Sequence, residues 1–114
     1  MGLSTHILDT SKGRPAAGVP VSLAMWLDDD WVMIHEATTD IDGRVKHLLP
    51  EEQSLQAGHY RVRFNINHYA AQQGMPSFYP YIDVVIVIEL DRTQEHYHVP
   101  LLVTANGYTT YRGS

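Results

Sequence analysis

The chain has no cysteine, which removes a disulfide framework, a thiolate nucleophile and a Cys-ligated zinc site. A reducing compartment is permitted by this and not required. Positive charge is scarce as well. Eight Lys and Arg face 13 Asp and Glu, a formal net charge of -5 with histidine neutral, and the basic residues form no run. A protein that gains affinity by neutralising phosphates needs the opposite balance, so nucleic acid is not an expected partner. Long apolar runs are also missing. The longest strongly apolar stretch, Val84-Val85-Ile86-Val87-Ile88, is far too short to span a bilayer and has the β-branching of a buried strand. The opening Met1-Gly2-Leu3-Ser4-Thr5-His6 lacks the basic and apolar regions of a signal peptide, and His6 stands where a myristoylation motif wants Ser or Thr. The final Arg112-Gly113-Ser114 is no peroxisomal signal. A cytosolic protein without a membrane partner is expected. Glycines occur only at isolated turns, with no phosphate-binding loop or dinucleotide fingerprint, and no serine lies in a Gly-x-Ser-x-Gly elbow. Nucleotide cofactors and a serine-hydrolase triad therefore have no support.

What the 114 residues do contain is a succession of short strand-like segments separated by Gly, Pro, Asp and Asn clusters, the spacing of an all-β sandwich. The length suits one domain, residues 1–114, with one modest core. Strands are predicted at Leu3 to Asp9, Val19 to Leu27, Trp31 to Ala37, Arg44 to Leu49, His59 to Asn65, Tyr81 to Leu90, Glu95 to Thr104 and Tyr108 to Arg112. Asp28-Asp29-Asp30 reads as an acidic turn, and Asp40-Ile41-Asp42-Gly43 as a turn delivering Arg44 to the start of its strand. Tyr60, Val62 and Phe64 alternate with His59, Arg61, Arg63 and Asn65, so one face of that strand belongs to the core. A single short helix is expected over His68 to Gln73, with Asn67 as its cap and Gly74 and Pro76 as stop signals. Pro100, lacking an N–H, is expected at a sheet edge or a bulge.

Seven histidines are the most reactive resource, because imidazole changes charge near neutral pH and serves as base, acid or metal ligand. His35, His47, His59 and His68 lie among polar or turn residues and read as solvated. His6 is either a hydrogen-bonded surface residue or a group aimed into a cleft. His96 and His98, two apart on a predicted strand, point to one face, as a proton-transfer pair or zinc ligands require, and zinc would need a third ligand such as His6 or a carboxylate. Catalysis ranks above metal binding. The tail Tyr111-Arg112-Gly113-Ser114 sets the terminal carboxylate beside Arg112, and on its own reads as an ordinary last strand that frays after Gly113.

Several phrases together resemble the transthyretin-like proteins and, within them, the 5-hydroxyisourate hydrolases. They are Leu3-Ser4-Thr5-His6-Ile7-Leu8-Asp9-Thr10, Gly13-Arg14-Pro15-Ala16-Ala17-Gly18-Val19-Pro20-Val21, Thr38-Thr39-Asp40-Ile41-Asp42-Gly43-Arg44, Ser77-Phe78-Tyr79-Pro80-Tyr81, Tyr97-His98-Val99-Pro100-Leu101-Leu102 and the terminal Tyr111-Arg112-Gly113-Ser114. The tail discriminates most, since the transthyretin hormone carriers lack it along with the His, Arg, His set. Val103-Thr104-Ala105-Asn106 departs from the family's usual turn before the tail.

The resemblance implies a sandwich of two four-stranded sheets with one short helix, assembled as a homotetramer whose interfaces form the active-site clefts. It implies hydrolysis of the six-membered ring amide of 5-hydroxyisourate without metal or organic cofactor. His6 and His98 would activate water and shuttle protons, Arg44 would bind and polarise substrate, and Ser114 with Tyr111, Arg112 and Gly113 would position it. The alternative is a transthyretin-like small-molecule carrier without turnover.

Overall fold

The computed structural model describes residues 2–74 and 77–113. The strands are β1 (Gly2–Asp9), β2 (Arg14–Pro15), β3 (Pro20–Leu27), β4 (Asp30–Thr38), β5 (Arg44–Val45), β6 (Gly58–Phe64), β7 (Ile82–Ile88), β8 (His96–Val103) and β9 (Tyr108–Thr110), with one α-helix, α1 (Ile66–Gln72), between β6 and β7. They form two sheets. A five-stranded sheet runs β2-β1-β8-β9 with β5 also on β1, and a four-stranded sheet runs β4-β3-β6-β7. Leu3, Ile7, Val99 and Leu101 from the first sheet and Val21, Leu23, Tyr60, Val62 and Phe64 from the second bury their side chains in one core. The alternation read from β6 is therefore the true inward face. No helix among the described residues is long and apolar enough to cross a membrane.

β1 and β8 pair in parallel over their full length, Gly2 opposite His96 through Asp9 opposite Val103. Thr5 Oγ1 donates to the Val99 carbonyl and Thr10 Oγ1 to the Val103 carbonyl at 3.1 Å, locking the register with side chains as well as backbone. The free edge of β1 is covered by β2 at Leu8 and Asp9 and by β5 at Thr5 and His6. The β3–β4 hairpin turns through Asp28 and Asp29, both at positive φ (51° and 62°). Two such residues between paired Leu27 and Asp30 match the right-handed twist of the strands. Asp30, expected in the turn, is the first residue of β4.

Four further expectations need correction. The helix begins at Ile66 with Asn65 at its N-cap position, not at His68 behind Asn67, because Ile66, Tyr69 and Ala70 supply the buried i, i+3, i+4 stripe. β5 stops at Val45 rather than Leu49. Leu48 and Leu49 are both buried, and adjacent residues of a strand face opposite ways, so burying both takes the chain off the ladder; Leu48 N–H still donates to the Leu3 carbonyl at 2.8 Å. β9 ends at Thr110, before Arg112. Pro100 lies in β8, an interior strand, with no register shift against β1.

The sheet tolerates Pro100 by leaving a gap in the next ladder. His98 accepts from Gly113 N–H at 2.8 Å across the C-terminal side of β8, and Pro100, two residues on, turns its nitrogen the same way. The β8–β9 ladder runs Val103–Tyr108, Leu102–Thr109 and Leu101–Thr110, breaks at Pro100, and resumes only at the His98–Gly113 bridge. Thr110 Oγ1 fills part of the gap by donating to the Pro100 carbonyl at 2.8 Å.

α1 is tied to the end of β1 by a buried acid. Asp9 is 1% exposed, and its carboxylate accepts from Ser11 Oγ (2.7 Å), Tyr69 Oη (2.7 Å) and the N–H groups of Ser11 and Lys12. Burial alone would raise its pKa; the hydrogen bonds from Ser11, Tyr69 and Lys12 outweigh that and hold it below the ordinary 3.8. The same burial, with Asp9 accepting its proton, pushes the Tyr69 phenol up to about 12. Because the folded pKa of Asp9 lies below its unfolded value, its contribution to stability is present above the unfolded pKa and is lost as pH falls through the folded one. Tyr69→Phe removes one charge-assisted bond and should cost about 1–2 kcal/mol in urea unfolding at neutral pH.

Candidate active site

Strand alternation decides which side chains meet. On β1, Leu3, Thr5 and Ile7 point into the core, so Ser4 and His6 lie on the opposite, outer face of the sheet. Antiparallel register sets Arg44 of β5 directly opposite His6, and directly opposed residues share a face. Parallel register sets His98 of β8 opposite Ser4 and His96 opposite Gly2. Ser4, His6, Arg44, His96 and His98 thus gather on one surface from three separate parts of the chain. Ser4, Thr5, Arg44, Val45, Lys46, His96 and His98 line an open cleft of about 520 Å³ there.

Arg44 owes its position to the turn before it. The Asp40 carboxylate accepts from the N–H groups of Asp42 (2.9 Å) and Arg44 (3.0 Å), Gly43 N–H donates to the Asp40 carbonyl (2.9 Å), and Gly43 carbonyl accepts from Ile7 N–H (2.8 Å). Gly43 has φ 74°, and a Cβ there would stand 2.5 Å from the Ile7 carbonyl oxygen. No other residue fits.

His98 is half-buried, with Ser4 Oγ 2.8 Å from its Nδ1; the same hydroxyl lies 2.9 Å from His96 Nε2. Burial, then the Arg44 cation, then His6 and His96, hold the His98 pKa below its ordinary 6.5. Burial and Arg44 lower His6 likewise, against a hydrogen bond to the Asp42 backbone and the Asp40 and Asp42 charges. Both rings are therefore neutral at neutral pH, with a lone pair available. A fixed guanidinium beside two neutral imidazoles can bind an oxygen-rich anion or carbonyl and take a proton from water. Among the described residues no group of three or more His, Asp or Glu stands so as to hold a metal ion; the two rings proposed as zinc ligands converge on a hydroxyl instead.

The tail divides. Gly113 packs on the imidazole of His98, where a Cβ would come within 2.6 Å of Cδ2. Arg112 turns away to Glu95 (2.7 Å) and lies over the Tyr97 ring, 4.4 Å from its centroid. Tyr111 and Arg112 border a second, apolar hollow of about 340 Å³ with Val84, Ile86 and Val87, and this hollow shares His98 with the first cleft. Ser114 lies outside the described residues. The sequence reading missed Ser4 and Lys46 as site residues. The alternation of Ser4 with His6 was available as a signal, but only the β1–β8 register reveals that Ser4 lies between two histidines.

The sequence profile described as the HIUase/Transthyretin family matches residues 3–113. The chain belongs to the HIUase/Transthyretin family. It is 43% identical to the 5-hydroxyisourate hydrolase of Salmonella typhimurium over 98% of this chain and 80% of that protein. Among solved structures of the family, the Klebsiella pneumoniae 5-hydroxyisourate hydrolase superposes with a TM-score of 0.82 at 33% identity, covering 100% of both chains. Sea bream transthyretin in complex with thyroxine superposes at 0.90 with 32% identity, covering 99% of this chain and 95% of that one. The fold alone therefore accommodates both a hydrolase and a protein that binds thyroxine.

Three outcomes follow from the geometry. Gly113→Ala should displace the His98 ring and lower turnover about 100-fold, with only a small change in melting temperature, since the bridge lies at the end of the sheet. Protonation of either depressed imidazole should abolish activity, so the acid limb of kcat/KM should fall below pH 6.5. Arg44→Gln removes the cation that disfavours the imidazolium, and the limb of its residual activity should move upward.

Proposed function

We propose that the protein hydrolyses the six-membered ring amide of 5-hydroxyisourate, opening it to a ureido-imidazoline carboxylate in urate breakdown. The observation that carries this is the in-register pairing of His6 with Arg44 on the sheet face where Arg44 and His98 line one open cleft, in a family member 43% identical to a 5-hydroxyisourate hydrolase.

The chemistry distributes over the chain's own groups. Arg44 binds the flat, oxygen-rich ring system through its fork of donors and stabilises negative charge developing on the carbonyl oxygen. A neutral imidazole, His98 or His6, removes a proton from water as oxygen attacks the carbonyl carbon, and a proton returns to the ring nitrogen as the C–N bond breaks. Water supplies both the new carboxyl oxygen and the proton on the leaving nitrogen, so no external reactant is needed. Gly113 packs against His98 at the edge of the cleft, and Ser114 in this reading supplies hydrogen bonds that position substrate and water. Tyr111 and Arg112, across the hollow that shares His98, hold the substrate's far edge. The reading assigns no metal or organic cofactor.

The same reading takes residues 1–114 as one domain, working in the cytoplasm as a homotetramer whose subunits complete one another's clefts. Self-association is supported by β7, an edge strand whose Val85 and Val87 are 55% and 54% exposed, an apolar edge that a lone subunit would leave open to pairing. Sedimentation at micromolar concentration should give about four times the chain mass.

Freshly generated 5-hydroxyisourate, followed by its ultraviolet decay, should disappear faster with the protein, and chelation should leave the acceleration intact. Absence of acceleration across neutral pH would return the protein to the carrier reading. Arg44→Lys keeps the charge and loses the fork, and should lower kcat/KM by about 100-fold. Deletion of Ser114 should also slow ring opening, and an unchanged rate would remove it from the site.

A further inference from the structure

The Ser4 hydroxyl lies within hydrogen-bond distance of two imidazoles, 2.8 Å from His98 Nδ1 and 2.9 Å from His96 Nε2. A hydroxyl carries one proton, so it donates to one ring and accepts from the other. Only two arrangements satisfy all three groups. In one, His98 carries its proton on Nδ1 and donates to Ser4, while Ser4 donates to His96; Nε2 of His98 then holds a lone pair. In the other, His96 donates through Nε2 to Ser4, Ser4 donates to His98, and Nε2 of His98 bears the proton. The first arrangement makes His98 a base toward the cleft and the second makes it an acid. Passing from the first to the second moves two protons along the chain of hydrogen bonds, takes one up at His98 Nε2 and releases one from His96 Nδ1, and moves no heavy atom.

The ends of this chain differ in surroundings. His98 is half-buried and Ser4 is 9% exposed, whereas His96 is exposed at the rim of the cleft. Gly2 sits against His96, where a Cβ would stand 3.2 Å from Nδ1, so the smallest residue lies beside the nitrogen at the solvent end. The charged and titratable groups facing His98 are Arg44 from β5 and His6 from β1, with Lys46 lining the same cleft. A positive charge held on His98 meets the Arg44 cation at close range. Moving it to the rim relieves that repulsion.

We infer that His98, Ser4 and His96 form a proton relay joining the reacting water to solvent. The inference rests on the hydrolase reading above, with His98 as the group that handles the proton. As His98 Nε2 accepts a proton from water, its Nδ1 proton passes to Ser4 Oγ, the Ser4 proton passes to His96 Nε2, and His96 Nδ1 releases one to solvent. The reverse sequence brings a proton from solvent to His98 Nε2 for the leaving nitrogen. One proton enters and one leaves at each end, so the charge balances. Ser4 and His96 are relay residues that act through His98.

The test uses full-length protein, 5-hydroxyisourate as substrate, and buffers differing in imidazole concentration. His96→Ala should lower kcat about 100-fold with KM unchanged, and added imidazole should restore much of the rate, while the wild-type rate stays independent of buffer. His96→Gln retains an amide able to hydrogen-bond Ser4 but cannot relay a proton, and should be as slow as His96→Ala. Ser4→Ala should be slow and unrescued. A His96→Gln rate equal to wild type, an undiminished His96→Ala rate, or a loss that imidazole does not reverse would each overturn the relay. His96 is exposed, so its variants test the relay even if Ser4→Ala fails to fold. Failure of the hydrolase reading is separately visible, because the wild-type protein would then give no acceleration at any imidazole concentration.

Discussion

Gly2–Asp9 lies in parallel register against His96–Val103, and nearly everything that matters for function hangs on that pairing. Parallel neighbours cannot be joined by a tight turn, so the chain makes most of the sandwich between the two strands. The closure entropy of that long connection is offset by burying Leu3 and Ile7 with Tyr97, Val99, Leu101 and Val103 in one core. Because core and site lie on opposite faces of the same two strands, the apolar residues that fix the register also fix Ser4 against His98. A slip of one residue would turn the imidazoles inward and expose the core.

Upon this pair the rest of the site is assembled by short-range devices. Asp40 and Gly43 hold a turn that can deliver Arg44 only opposite His6. The resulting concentration of nitrogen groups, one guanidinium and three imidazoles, is electrostatically self-opposed. Burial first, and then the Arg44 cation, hold the pKa values of His6 and His98 below the ordinary 6.5, and a neutral ring is what proton abstraction requires. A fold selected only for stability has no use for such a cluster, and the surrounding protein carries it on the strength of a well-packed interior.

The C-terminal segment shows how a local rule yields to the tertiary structure. Pro100 cannot donate to a ladder, and the expectation of an edge or bulge follows from that alone. The sheet instead keeps Pro100 in an interior strand and interrupts β9 beside it, which frees residues 111 and 112 from regular pairing before Gly113 returns to His98. The missing N–H thus gives the tail its departure from the sheet. Arg112 uses that freedom to reach Glu95 and Tyr97, while Gly113 supplies the flat contact that lets the His98 ring lie where it does.

Alternation in His59 to Phe64, the β-branched run of β7 and the turn chemistry around Asp28 and Asp42 were enough to establish an all-β sandwich, since each is a local consequence of side-chain size and period. The family phrases added His6, Arg44 and His98 as a set. Helix phase was misjudged by two residues because Ile66, which anchors it, is read correctly only once a core exists to receive it. The length of β5 was overestimated for the same reason, as Leu48 and Leu49 are both drawn inward. Ser4 could not be found from its neighbours at all. A hydroxyl between two histidines more than ninety positions away is a product of strand register, and register is decided by how the whole core packs, not by any segment that contributes to it.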